Sequence, residues 1–141
     1  MLIPKQIQKN LAGGFTLVEL AVVIVIIGVL AAFGVPRFKV AVEKSKAAEA
    51  FSYLSSVRSA QERYYTQQGT YTSDPNQLDI NQSVPVYFNL GSLAADENTW
   101  SYIMTRTGPS AGYGAYNVAY NELGFDSGTS TIVNEINPQN H

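Results

Sequence analysis

The chain has 141 residues, enough for one domain with an appendage and too few for two full domains. Charged residues make up 14% of it and the net charge is -2, so composition gives no sign of a nucleic-acid partner. There are no cysteines, which excludes a disulfide framework, a thiolate metal site and a cysteine nucleophile. The single histidine, His141, is the last residue, a poor position for chemistry.

Residues 1–14 carry Lys5 and Lys9 and no acid. Residues 15–35 read FTLVELAVVIVIIGVLAAFGV, an apolar run with one charge, Glu19. As a helix it rises about 30 Å, enough to cross a bilayer core. An ordinary secretory signal has a shorter apolar region followed by a small-residue cut site. Here the small residues, Ala12-Gly13-Gly14, precede the run. A cut there removes the basic leader and keeps the anchor. A plain uncleaved membrane anchor is the competing account.

Glu19 separates these accounts. An acid at mid-bilayer costs roughly 2.5–3.5 kcal/mol, and less near an edge. Thr16-Leu17-Val18-Glu19 fits the T-x-x-E capping box, which gives the acid a purely structural role. The functional account is that Glu19 meets a cation from a neighbouring chain. A cut after Gly14 creates one, the amino group of Phe15, which is largely protonated at neutral pH with a pKa of about 7.7–8.0.

Gly14, Phe15-Thr16-Leu17-Val18-Glu19 and the apolar run that follows resemble the prepilin signature of type IV pilins, shared by the pseudopilins of type II secretion. The resemblance is close from Lys5 to about Phe38 and looser to about Tyr71. It implies that a membrane aspartyl peptidase cuts after Gly14 and that the same enzyme N-methylates Phe15. It also implies that Glu19 pairs with the terminal amine of Phe15 in an adjacent subunit, and methylation preserves that charge. Losing Lys5 and Lys9 from the nine basic residues leaves seven against 11 acids, a net charge of -4. Arg37, Lys39, Lys44 and Lys46 follow the anchor and, counted alone, put the wrong end inside. The signature outweighs that count. It places the N-terminus in the cytoplasm and the basic cluster at the far membrane surface or between subunits.

Gly28, Gly34 and Pro36 weaken the helix, since proline removes a hydrogen bond and glycine costs about 1 kcal/mol against alanine. Periodicity nevertheless resumes: Ala47, Ala50, Phe51, Leu54, Val57, Ala60 and Tyr64 form one apolar stripe, with Lys44, Lys46, Glu49, Glu62 and Arg63 among polar positions. Gly69 stops it. The expected element is one kinked helix over 15–68, with 15–36 spanning the membrane or filling a filament core and 37–68 amphipathic. Pro36 matches a proline of many pilins, so local unwinding between Gly28 and Pro36 is expected in a filament.

Residues 71–76 (YTSDPN) read as a loop. Strand-like runs follow at 84–90, 100–107, 113–123 and, weakly, 130–136. Trp100, Tyr102 and Met104 alternate with other residues, as do Tyr116, Val118 and Tyr120. Gly108-Pro109-Ser110-Ala111-Gly112 suits a hairpin turn. The expected fold is α+β, with the long helix packed against an antiparallel sheet of three or four strands, as in type IV pilins. Domain limits are a leader at 1–14, the helix halves, and a loop-and-sheet region at 69–141. Gln68-Gly69-Thr70-Tyr71 also resembles a pilin junction. Many pilins close the C-terminal region with a disulfide loop, which this chain cannot form.

The major pseudopilin of type II secretion commonly binds calcium through C-terminal acids. Glu122, Asp126 and Glu135 are weak candidates and match no coordination loop, so no metal or cofactor is assigned. The stretch 108–112 fits G-x-S-x-G literally, but that motif needs a following helix and a histidine base, so a turn is the better account and the chain is not read as an enzyme. Nine tyrosines suit sheet and filament packing better than a charge-transport array.

The expected function is polymerisation into a helical homo-oligomeric filament for adhesion, motility or DNA uptake. The expected partners are the prepilin peptidase and an inner-membrane platform with an external ATPase. The subunit is expected in the bacterial inner membrane first, then in a surface pilus or a periplasmic pseudopilus. A pseudopilin of type II secretion is the alternative, and a membrane-anchored binding domain that never polymerises is a minor third.

Overall fold

A computed structural model describes residue 2 and residues 13–140. Lys5, Lys9, Ala12 and His141 lie outside the described residues. Thr16 caps a single long helix, α1, Leu17–Gln68. The helix starts two residues later than the expected 15 because Phe15 and Thr16 lie in its entry. Its last turn is closed by Gly69, whose φ of 75° is the left-handed conformation glycine adopts freely and whose N–H donates to Tyr65 O at 2.8 Å. The helix is unbroken at Gly28, Gly34 and Pro36, so unwinding there is not a property of the isolated chain. Proline forfeits one hydrogen bond, and helix on both sides tolerates that loss.

The chain divides into two compact units, Met1–Pro36 and Arg37–His141. In the first, the large apolar side chains are exposed, among them Phe15, Leu17, Ile24, Leu30 and Phe33. Among the described residues, α1 is the one helix long and apolar enough to cross a membrane.

The second unit holds the core. A short 3-10 turn, η1 Pro75–Gln77, follows the helix, with Asp74 accepting from Asn76 N–H. Four antiparallel strands, β1 Phe88–Ala95, β2 Trp100–Arg106, β3 Asn117–Asn121 and β4 Gly124–Phe125, pair in chain order. The register sets Phe88 opposite Arg106, Met104 opposite Val118 and Tyr102 opposite Tyr120. The stripe Ala47, Ala50, Phe51, Leu54, Val57 and Ala60 is buried against the sheet face formed by Trp100, Tyr102, Met104, Tyr116, Val118 and Tyr120. Tyr64 is half-buried at its end. Phe51 packs edge-on to Tyr120, ring centroids 6.0 Å apart.

Three strand expectations need correction. The run at 84–90 becomes β1 four residues later: Pro85 offers no N–H, and Val86 N–H donates to the Glu49 carboxylate at 3.1 Å instead of to a ladder. The run at 113–123 supplies only β3, with the bend at Glu122-Leu123 starting β4. Residues 130–136 are not a strand. Instead Ser130 and Thr131 accept from Ala119 and Asn117 N–H through their hydroxyls, at 2.9 and 2.8 Å. Hydroxyls thus take the free N–H groups of β3 beyond its short pairing with β4, while Thr131 N–H donates to Asn117 O at 3.1 Å.

Candidate assembly site and globular face

The N-terminal site is built on Thr16 and Glu19. Glu19 Oε2 accepts from Thr16 N–H at 2.8 Å and from Thr16 Oγ1 at 3.1 Å, while Glu19 N–H donates to Thr16 Oγ1 at 3.2 Å. This is the reciprocal capping box that the T-x-x-E pattern allows. All three bonds fall on one carboxylate oxygen and one hydroxyl. Glu19 Oε1 has no partner among the described residues. The structural role therefore occupies half of the carboxylate.

The apolar run beyond it is too costly to leave in water. Burying one Val, Leu, Ile or Phe side chain is worth about 1.5–3 kcal/mol. More than ten such residues between Phe15 and Phe38 are at least half exposed. Such a run calls for an apolar surrounding.

The globular unit contains a buried ionic knot. Glu43 is 1% exposed, Arg106 4% and Tyr116 3%. Arg106 Nε donates to Glu43 Oε1 at 2.6 Å and Nη2 to Oε2 at 3.1 Å, a bidentate pair. Tyr116 OH donates to Glu43 Oε1 at 2.8 Å. The remaining guanidinium protons go to Pro109 O at 2.8 Å, to Tyr87 O at 3.4 Å and to Thr107 O. Burial pushes the Glu43 pKa up most strongly, but hydrogen bonds from Arg106 and Tyr116 and the Arg106 charge outweigh it and hold the carboxyl below its usual range. Burial, then the Glu43 hydrogen bond and charge, push Tyr116 well above the usual phenol value. A second buried polar side chain, Gln61, bridges the backbone of Thr72, donating to its O at 2.7 Å and accepting from its N–H at 3.1 Å.

None of these four residues stands out by motif. Glu43 lies one helical turn before Ala47 on the apolar stripe, and Arg106 continues the buried parity of Trp100, Tyr102 and Met104. Those two positions were the available signal: a charge on each of two buried faces, of opposite sign.

An open groove of about 840 Å³ runs beside helix residues 55–63. Arg58, Arg63, Ser59 and Gln139 line it, with Tyr120, Phe125 and the exposed Leu123. Arg58 Nε donates to Glu122 O at 3.1 Å, and Arg63 lies 4.0 Å from the Asp79 carboxylate.

The weak calcium candidates are not brought together. Asp126 accepts from Gly128 N–H at 2.9 Å and Thr129 Oγ1 at 2.6 Å, shaping its own turn. Glu122 accepts from Trp100 N–H at 3.4 Å, and Glu135 lies beside Tyr113. Among the described residues no three acids or histidines cluster as a metal site. Ser110 of G-x-S-x-G donates to Gly114 O at 2.7 Å within a turn containing Gly108, Ala111 and Gly112, all at positive φ. The motif is a chain reversal between β2 and β3.

An exposed apolar helix entered through a capped acid, continuing into the core of a small antiparallel sheet, defines a type IV pilin subunit, a structural protein. A prokaryotic N-terminal methylation motif matches residues 9–35. Residues 36–121, more than half of the chain, match the family described as type IV minor pilin ComP, DNA uptake sequence receptor, and the chain belongs to that family. It is 41% identical over 70 residues to the fimbrial protein EcpC of Eikenella corrodens, covering 50% of this chain and 43% of that one. It is 37% identical over 65 residues to the type IV major pilin protein PilA of Myxococcus xanthus, covering 46% and 30%. It is 44% identical over 51 residues to the type IV major fimbrial protein FimA of Dichelobacter nodosus, covering 36% and 32%. The matched segments thus span less than half the length of these relatives.

Proposed function

We propose that the chain, cut after Gly14 and N-methylated at Phe15, polymerises through its apolar helix into a surface filament. The observation that carries this reading is the half-used carboxylate of Glu19. Oε2 holds the helix start of its own subunit, and Oε1 remains for the Phe15 ammonium of a neighbour. One acid thereby caps and registers at once. In the packed filament the weak point at Gly28, Gly34 and Pro36 unwinds locally and gives extensibility. The prepilin peptidase and an assembly platform with an external ATPase are the partners this requires, and the subunit waits in the inner membrane with its N-terminus cytoplasmic. Intact mass of the purified subunit tests the first step: a chain beginning at methylated Phe15 is expected, and an intact leader in cells with active peptidase would overturn it. Recovery of the processed chain only from the envelope, never from sheared fibres, would favour the pseudopilin reading.

For the use of the filament we infer DNA uptake over adhesion or motility, because the family match falls on the globular unit that a filament would display. The net charge is unfavourable, so contact has to be local. The groove sets Arg58 and Arg63 beside Ser55, Ser59 and Gln139, with one acid, Glu62, in its lining, and so offers a local excess of positive charge with hydrogen-bonding groups. Duplex binding by the processed chain tests this across a salt series. The R58Q/R63Q chain is expected to weaken binding and flatten the log–log salt slope by about two. No duplex binding by the wild-type chain would remove the DNA reading and leave polymerisation standing.

A further inference from the structure

The four basic residues after the apolar run do not behave alike. Lys44 Nζ donates to Asn140 O at 2.8 Å, and Lys46 Nζ lies 4.8 Å from the centroid of the Tyr87 ring. Both are spent on the globular unit. Arg37 and Lys39 are exposed, and the ion pairs among the described residues are Arg63–Asp79 and Arg106–Glu43. No acid lies between Glu19 and Glu43 in the sequence, and Glu43 is committed to Arg106. Among the described residues neither Arg37 nor Lys39 has an acidic partner within ion-pair distance.

Their position along the helix says what could supply one. Residues 20–36 carry no charge. At about 1.5 Å per residue that run is about 26 Å of helix, close to the hydrocarbon thickness of a bilayer. With Glu19 at one boundary, Arg37 and Lys39 reach the headgroups of the other. Two residues apart on a helix, they project to opposite sides of the axis. Phe38 between them is 70% exposed and suits the acyl boundary. This also accounts for positive charge on the side where the loop-charge rule disfavours it.

We propose that Arg37 and Lys39 form a docking collar for the phosphodiester of anionic phospholipid, phosphatidylglycerol in chemistry, in the leaflet on the globular side. The collar fixes the depth of the waiting subunit and is given up when the subunit enters a filament. The bidentate guanidinium is the stronger member, and the lysine a point charge beside it. The inference rests on the membrane-anchored reading above.

The test is carbon–phosphorus dipolar dephasing at arginine Cζ in the full processed chain. The chain is reconstituted in equimolar phosphatidylcholine and phosphatidylglycerol and, separately, in phosphatidylcholine alone. The R37Q chain identifies the Arg37 signal against Arg58, Arg63 and Arg106. Acyl-proton contacts to Val25 report insertion independently. Expected is strong Arg37 dephasing in the mixture, its loss in phosphatidylcholine alone, and its loss in assembled filaments. An inserted chain with no Arg37 dephasing in the mixture would overturn the collar. Equal dephasing in both lipids would overturn its anionic selectivity. Arg37 contacts to carboxylate carbons in place of phosphorus would assign the residue to a neighbouring subunit. Absence of acyl contacts at Val25 would instead overturn the membrane reading beneath it.

Discussion

Replacing Glu43 with alanine should destabilise the globular unit about as much as the largest apolar truncations in its core. The substitution removes both carboxylate contacts of Arg106, at 2.6 and 3.1 Å, and the acceptor of the Tyr116 hydroxyl. Arg106 keeps only carbonyl partners and remains 4% exposed, a charge out of water without a counter-charge. Breaking a buried pair from one side costs about 3–5 kcal/mol. Domains have about 5–15 kcal/mol in total, so Glu43→Ala should remove about a fifth of it or more. At roughly 4 °C or more per kcal/mol for a unit this size, Tm should fall by about 12 °C or more. Trp100 is the one tryptophan and is buried in the core, so its fluorescence in detergent micelles reports the melt directly. Glu43→Gln, which keeps the shape and an acceptor, should lose less. The double change Glu43→Met with Arg106→Met should recover part of the loss, because removing both charges leaves neither unpaired. Recovery stays incomplete because the carbonyls of Tyr87, Thr107 and Pro109 lose their donor. A Glu43→Ala chain melting within a few degrees of wild type would show that water solvates the pair and that the knot does not hold helix to sheet.

The same knot sets a pH profile. Glu43 has a depressed folded pKa, so its contribution is present above the ordinary carboxylate value of about 4.3 and lost as pH falls through the folded one. Tyr116 has a raised pKa, so its contribution is present below about 10 and lost as pH rises toward the folded value. Melts across pH should show a plateau between, and Tyr116→Phe should remove the alkaline loss attributable to that group. Gly91→Ala would set a Cβ 2.6 Å from Ile103 O on the paired strand, which cannot move aside cheaply. It should cost about 1–3 kcal/mol in denaturant titration, with Ser92→Ala near neutral as its control. Gln61→Leu keeps the volume but strands the N–H and O of Thr72, and should cost about 2 kcal/mol or more. Glu19→Gln can still close the capping box, so subunit levels by immunoblot should hold while surface filaments counted by electron microscopy fall sharply.

The fold is legible in the sequence where one periodicity runs long. The apolar run, the helix to Gln68 and the buried stripe from Ala47 to Ala60 are legible because many positions repeat the same statement. Trp100, Tyr102 and Met104 announced β2 in the same way. Strand edges are poorly legible where side chains stand in for backbone partners: Glu49 takes the N–H of Val86, and the hydroxyls of Ser130 and Thr131 take those of Ala119 and Asn117. Such substitutions depend on residues far apart in the chain, and composition windows do not see them. The Glu43–Arg106 pair was hidden for a related reason. Each residue alone looks like an exposed charge, and only the register of helix against sheet makes them partners. At the N-terminus the sequence offered two roles for Glu19 as rivals, and the geometry makes them compatible because a carboxylate has two oxygens.

The C-terminal stretch after β4 is fastened without a covalent link. Asp126 shapes its first turn, Ser130 and Thr131 clip it to β3, Ile132 and Ile136 enter the core, and Lys44 holds the carbonyl of Asn140. None of these contacts needs an oxidant or a thiol-exchange catalyst to form, and a reductant has no bond among them to break. Cells producing it under anaerobic conditions should fold it as quickly as aerated ones.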